Sequence, residues 1–265
     1  MVTDKLHTLR NFVLFCSFII LATFLSFDHG KAKHDSYALA TKISQKSDKP
    51  DFLNIDDTAE KKQAFINYIL KAIQNANKEI CAQQEELQKL KKAYDKNQKL
   101  TKKQLDRLNT YLSYYKIRNA TDTQQMINQL KIKVGTVPSS FVIAQAVLES
   151  GWGTSRFARE YSNYFGLHCF SEDCGVKASG ANVYLETFPN ATESVLGYYY
   201  RLNTGTKFKQ FRLTRQQVKN HTLPRSAMLD TLENYSELDG EEYKNRLEGV
   251  IRPNNLTQYD NDGTC

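Results

Sequence analysis

Between residues 57 and 94, apolar side chains return every three or four positions through Ile66, Ile69, Ile73, Ala76, Ile80, Leu87, Leu90 and Tyr94, with polar Gln83 as the break. That period marks one face of a long amphipathic helix. Thr101 followed by Gln104 has the spacing of a capping box, and Leu105, Leu108, Leu112 and Tyr115 carry a second stripe. Two helices are therefore expected to pair as an antiparallel hairpin that turns around residues 95–101. Thr121 and Gln124 repeat the cap spacing ahead of Met126, Ile127 and Leu130, which predicts a short third helix. From Pro138 the pattern changes: Phe141, Ile143, Ala144, Val147 and Leu148 are apolar all round, as in a buried helix. Proline suits its first position, and Gly151 and Gly153 around Trp152 stop it at Glu149.

Past Gly166, residues 167–192 have mixed polarity, and Val183 and Leu185 alternate with Tyr184 and Glu186, which reads as a small β-hairpin. Helical periods return over residues 194–202, 224–235 and 241–251, with Thr222 as the candidate cap of the second. At the other end, residues 12–27 form an apolar run behind Lys5 and Arg10, interrupted only by Ser17, Thr23 and Ser26. This reads as an export signal or a signal anchor, and its length sits where the two classes overlap. The expected organisation is a signal peptide or anchor at 1–27, a polar linker at 28–56, a helical hairpin at 57–117 and a catalytic unit at 118–265. The fold class is mainly α.

Composition narrows the partners. The net charge of +7 is unevenly divided: residues 1–137 carry 23 Lys and Arg against 14 Asp and Glu, whereas residues 138–265 carry 13 against 15. A nucleic-acid enzyme concentrates positive field around its chemistry, so nucleic acid is discounted as a partner. Excess basic charge in the first half instead suits an inner-membrane surface or an anionic cell wall. Five cysteines in 265 residues do not make a disulfide-dense scaffold. Cys169 and Cys174, beside His168, lack the further ligands that zinc requires, and no metal or other cofactor is read. In an exported protein this pair reads as a small disulfide loop.

Glu149 is the candidate acid. At the last turn of an apolar helix, both the helix dipole and burial disfavour its charge, and both raise its pKa. A carboxyl group kept protonated near neutral pH is what a glycosidase uses as general acid, and Trp152, the sole tryptophan, offers a flat face to a sugar ring. The bland alternative is an exposed glutamate at a frayed helix end beside a core tryptophan.

The stretch Ala-Val-Leu-Glu-Ser-Gly-Trp-Gly-Thr-Ser-Arg-Phe-Ala, then Ser-Asn-Tyr-Phe-Gly-Leu, and later Glu-Asn-Tyr-Ser-Glu-Leu-Asp-Gly-Glu-Glu-Tyr, resembles the bacterial glucosaminidases that include flagellar hydrolases and autolysins. Within them it is most similar to the Bax-type proteins of Gram-negative bacteria, over about residues 51–260. The resemblance implies a lysozyme-like α+β catalytic domain with a small β-hairpin. It implies hydrolysis of the β-1,4 bond on the N-acetylglucosamine side of peptidoglycan glycan strands, with Glu149 as the acid. It also implies a periplasmic or envelope location, with the N-terminal segment as a candidate inner-membrane anchor. Tyr235 matches the family's catalytic tyrosine, and Trp152, Asn163, Tyr164, Phe165 and Gly166 match groove-lining positions. A second carboxylate is sought at Glu186, then Glu172 or Asp173; the alternative is the substrate's own acetamido oxygen. Two other function classes remain open, a lytic transglycosylase and a non-catalytic wall-binding protein.

Overall fold

Asp57 opens the first helix, α1 (Thr58–Asn97), by accepting from the Glu60 backbone N–H at 2.7 Å. Forty residues make it about 60 Å long, and its apolar stripe, Phe65, Ile66, Ile69, Ile73, Ala76, Ile80, Leu87 and Leu90, is buried throughout. The computed structural model describes residues 49–169, 174–178, 183–236, 239–260 and 265, and within it Lys49–Cys265 form one compact unit. The segment expected to be an export signal or signal anchor, most of the expected linker, Glu172 and Asp173 lie outside the described residues. Among those described, no helix is long and apolar enough to cross a membrane.

The second helix, α2 (Lys102–Tyr114), starts at the expected capping box, with Thr101 and Gln104 bonded in both directions. It returns along α1 through polar clamps. Arg107 donates to both oxygens of Glu86 at 2.8 Å, and Tyr111 donates to Glu86 Oε2 at 2.5 Å. Gln83, the break in the α1 stripe, accepts from the buried Tyr115 hydroxyl, so the polar residue serves the hairpin.

Helix α3 (Thr123–Lys133) begins one residue later than the expected box. Asp122 is the cap and accepts from Gln125 N at 2.8 Å, while Gln125 Oε1 accepts from Thr121 N. A carboxylate outcompetes a hydroxyl there because the first turn of a helix favours negative charge. Helix α4 (Ser139–Ser150) has Pro138 as its N-cap residue, one position before the helix, and ends at Ser150, one residue past the expected stop. Pro138 has no side chain with which to cap. Asp260, 120 residues away, substitutes: its Oδ1 accepts from Ser140 N at 2.8 Å, and its other oxygen pairs with Arg225 at 2.9 Å.

After the short α5 (Arg156–Tyr161) come three antiparallel strands, β1 (His168–Cys169), β2 (Gly175–Lys177) and β3 (Tyr184–Glu186), in the order β1-β3-β2. The expected hairpin is thus a three-stranded sheet with β3 central. Leu185 pairs with His168 on one side and Val176 on the other, and the Cys169–Cys174 disulfide joins β1 to the start of β2. Helix α6 (Ala191–Thr204) then lies along α1, where the Tyr199 hydroxyl donates to buried Asn77 at 2.8 Å. A second disulfide, Cys81–Cys265, ties the last residue to α1.

Helix α7 (Lys209–Lys219) was not expected from periodicity, because two of its four buried positions, Phe211, Arg212, Thr214 and Arg215, are arginines. Their partners are helix ends. Arg215 donates to the carbonyls of Ile132 and Lys133 at the end of α3, to Gly135 and Thr136, and to Asn203 Oδ1 at 2.7 Å. Arg212 donates to Leu202 and Gly205 at the end of α6. A cation at a helix C-terminus opposes the negative end of the dipole, which explains the buried Arg215 guanidinium, whose two terminal nitrogens donate to these groups while its Nε has no partner among the described residues. Burial lowers the Arg215 pKa to about 10, so it stays charged at neutral pH. Arg215→Met strands these carbonyls and is expected to lower stability by about 3 kcal/mol or more, read as a reduced urea midpoint at unchanged slope. An unchanged midpoint would show that the carbonyls need no cation.

The segment Arg225–Tyr235 winds as a three-ten helix instead of the expected α-helix, and Thr222 donates to Gln217 O at the end of α7 instead of capping that segment. Pro224 occupies the capping position and supplies no side-chain bond. Helix α8 (Gly240–Ile251), opened by Asp239, comes next and packs on α4.

Candidate active site

Glu149 stands where α4 gives way to a tight left-handed turn. Gly151, Trp152 and Gly153 all have positive φ, at 58°, 58° and 78°. The Ser150 hydroxyl donates to Ala146 O at 2.5 Å and accepts from Gly153 N at 2.9 Å, which stitches the turn to the helix. Gly153 admits no side chain, since a Cβ there would lie 2.6 Å from Phe52. Trp152 adopts a backbone conformation that disfavours a bulky residue by about 1–2 kcal/mol. Its indole meets Phe65 of α1 edge-on at 5.9 Å, and Lys62 Nζ lies 5.3 Å from its ring centre. Trp152 and Tyr164 belong to one aromatic cluster with Phe52, Phe65 and Tyr68, on the α1 side of the turn.

The Glu149 carboxyl is half-buried, and burial raises its pKa; a hydrogen bond from Tyr243 acts in the opposite, weaker direction. Tyr243, on α8, donates to Glu149 Oε1 at 3.3 Å. Behind it a chain of polar groups runs into the core. Tyr198 on α6 donates to Gln145 Oε1, and Gln145 Nε2 donates to the Tyr243 hydroxyl oxygen at 2.9 Å. Gln145 is on the same face of α4 as Glu149, one turn earlier.

The opposite wall is the turn after α5. Asn163 is fully buried, and its amide donates to Leu167 O and Glu186 O while its oxygen accepts from Leu167 N, so it clamps the turn to β3. Phe165 stacks on Tyr198 at 4.5 Å, and its carbonyl accepts from the Tyr235 hydroxyl at 3.0 Å. Gly166 has a φ of 59°, and a Cβ there would stand 3.5 Å from Glu149 Oε2. Glycine therefore places no side chain against this oxygen. Tyr235 stacks parallel to Tyr243 and lies edge-on to Tyr198. Burial pushes all three phenols well above the ordinary tyrosine value, so they remain donors.

Among the residues singled out from sequence, Glu149, Phe165, Gly166 and Tyr235 converge here. Asn163 supports the turn from within. Glu186 sits on β3 as expected, but its carboxylate pairs with Arg201 at 3.0 Å, and the same Arg201 nitrogen donates to His168 O. Sequence reading missed Gln145, Tyr198 and Tyr243. A signal existed for two of them: Gln145 is the polar residue within an apolar helix four positions before Glu149, and Tyr243 closes the same motif as Tyr235.

Comparison with known proteins places the chain in a family. The glucosaminidase family profile, described as mannosyl-glycoprotein endo-β-N-acetylglucosaminidase, matches residues 124–256, half of the chain, and the chain belongs to that family. It is a glycosidase of the cell-wall-lytic kind. Protein Bax of Escherichia coli K12 is 29% identical over 214 residues, covering 80% of this chain and 76% of Bax. The catalytic domain of the autolysin Auto from Listeria monocytogenes aligns with a TM-score of 0.43 at 18% identity, over 86% of this chain and 96% of that domain. A type VI secretion effector–immunity complex from Pseudomonas protegens aligns with a TM-score of 0.29 at 15% identity, over 56% of this chain and 94% of that one.

Proposed function

We propose that this glycosidase cleaves the β-1,4 bond on the N-acetylglucosamine side of peptidoglycan strands, with Glu149 as general acid. The observation that carries the reading is a half-buried carboxyl with a raised pKa, one oxygen held by Tyr243 and the other beside Gly166, which carries no side chain. Bond cleavage requires a proton on the leaving oxygen, and a carboxyl whose pKa burial raises holds such a proton more readily. The developing positive charge then needs a partner on the other face of the sugar. Glu186 is committed to Arg201, which favours attack by the acetamido oxygen of the N-acetylated substrate over a second protein carboxylate. Tyr235 steadies the Phe165 carbonyl at the edge of the site. The two disulfides fit an oxidising compartment such as the periplasm.

Mass spectrometry of digested peptidoglycan tests the bond. Reducing N-acetylglucosamine ends are expected; anhydro-muramic ends would mean a lytic transglycosylase, and no release a wall-binding protein. The roles of the flanking groups separate kinetically. Tyr235→Phe is expected to lower turnover at least about tenfold with little change in binding, and Glu186→Gln to have a smaller effect. The reverse order would assign the second catalytic group to Glu186.

A further inference from the structure

Resting on Glu149 as the acid, we infer that Tyr243, oriented by Gln145, is a positioning residue that decides which oxygen of Glu149 carries the catalytic proton. The direction of each hydrogen bond fixes that proton. The single acceptor of Gln145, Oε1, receives the Tyr198 hydroxyl proton. Its amide nitrogen therefore faces Tyr243 and donates to the phenol oxygen at 2.9 Å. Gln145 offers the phenol a donor and no acceptor, so the single phenol proton goes to Glu149 Oε1 at 3.3 Å. An oxygen that accepts this bond is the carbonyl oxygen of the neutral acid. The O–H is then on Oε2, the oxygen that faces Gly166, where no side chain intervenes. A reversed chain would turn the acid's proton inward to Tyr243 and away from the substrate.

During cleavage the Oε2–H bond breaks as the leaving oxygen takes both the proton and the electron pair of the glycosidic C–O bond. Glu149 becomes a carboxylate, and the Tyr243 bond becomes charge-assisted at that moment, which stabilises the transition state more than the ground state. Tyr198, Gln145 and Tyr243 lie on α6, α4 and α8, so the direction of the chain is set by tertiary packing. Among the described residues, the titratable groups that sense Glu149 are Tyr243 on α8, Tyr235 on the three-ten segment and Tyr198 on α6. All are phenols whose protons burial retains, so Glu149 is the group among them that ionises first as pH rises.

Tyr243→Phe retains the ring stacked on Tyr235 and removes only the hydroxyl. Two readouts apply to the full chain: the pH profile of turnover on soluble glycan strands, and the titration of 13C-labelled glutamate carboxyls assigned by comparison with Glu149→Gln. The expected result is a roughly tenfold lower kcat at similar KM, with the Glu149 titration and the basic limb of kcat/KM moved up by about half a unit to one unit. Gln145→Leu is expected to shift both in the same direction by less. Turnover that falls without a change in the titration would indicate a merely structural hydroxyl and overturn the inference, as would no change in either. If Glu149→Gln itself remains active, the acid assignment fails, whereas the carboxyl titration still reports whether Tyr243 holds Oε1.

Discussion

Glu149→Gln is expected to lower turnover by about 10²–10⁴-fold, the usual contribution of general acid catalysis, while α4 keeps its place. The amide preserves shape and can still accept from Tyr243, but it has no acidic proton to give. A second consequence concerns stability. Burial raises the Glu149 pKa above its unfolded value near 4.5, so the fold accommodates the neutral acid better than the carboxylate. That contribution is fully present below pH about 4.5 and is lost as pH rises through the raised value. The glutamine variant ionises nowhere in this window. It is therefore expected to match the parent in melting temperature near pH 4 and to exceed it at neutral pH, the trade of stability for activity common at catalytic sites. A folded variant with near-parental turnover would remove Glu149 from the acid role, and equal melting temperatures at both pH values would show that its charge is well solvated.

Loss of the Cys81–Cys265 disulfide is expected to have the largest effect on stability of any covalent change. The bonded residues are 184 positions apart, against five for Cys169–Cys174. Loop-closure entropy converts these separations into about 5 and about 2 kcal/mol of stabilisation. The long bridge also retains the chain end that carries Asp260, the remote cap of α4, whose loss adds about 1 kcal/mol. The double variant Cys81→Ala, Cys265→Ala should thus show a urea midpoint well below that of Cys169→Ala, Cys174→Ala, and turnover should decline as α4 loses its cap. The opposite order of midpoints would mean that the chain end contributes little to the folded state.

The places where sequence reading succeeded and failed reflect the range of the interactions involved. The α1 stripe, the buried α4 and the turn at Gly-Trp-Gly were legible because each depends on neighbours a few residues away, whereas the left-handed backbone of Trp152 was not read. The expected cap at Thr121 moved to Asp122, a local competition that spacing alone does not rank. Helix α7 was invisible because Arg212 and Arg215 break its apolar pattern, and the carbonyls that justify the burial of Arg215 are mostly about 80 residues away. Glu186 was found on its strand, yet its commitment to Arg201 depends on α6 packing beside β3.

The amino-acid order by itself determined that Glu149 would stand on the last turn of an apolar helix beside glycines, and hence that an acid with a disfavoured charge would stand near a turn. Only the tertiary structure decided how that acid is held, because Tyr198, Gln145 and Tyr243 come from three helices and a hydrogen-bond direction is no property of any one of them. Helix formation is encoded in period and caps within one segment, whereas the orientation of a buried proton depends on donors and acceptors that meet only when distant segments pack.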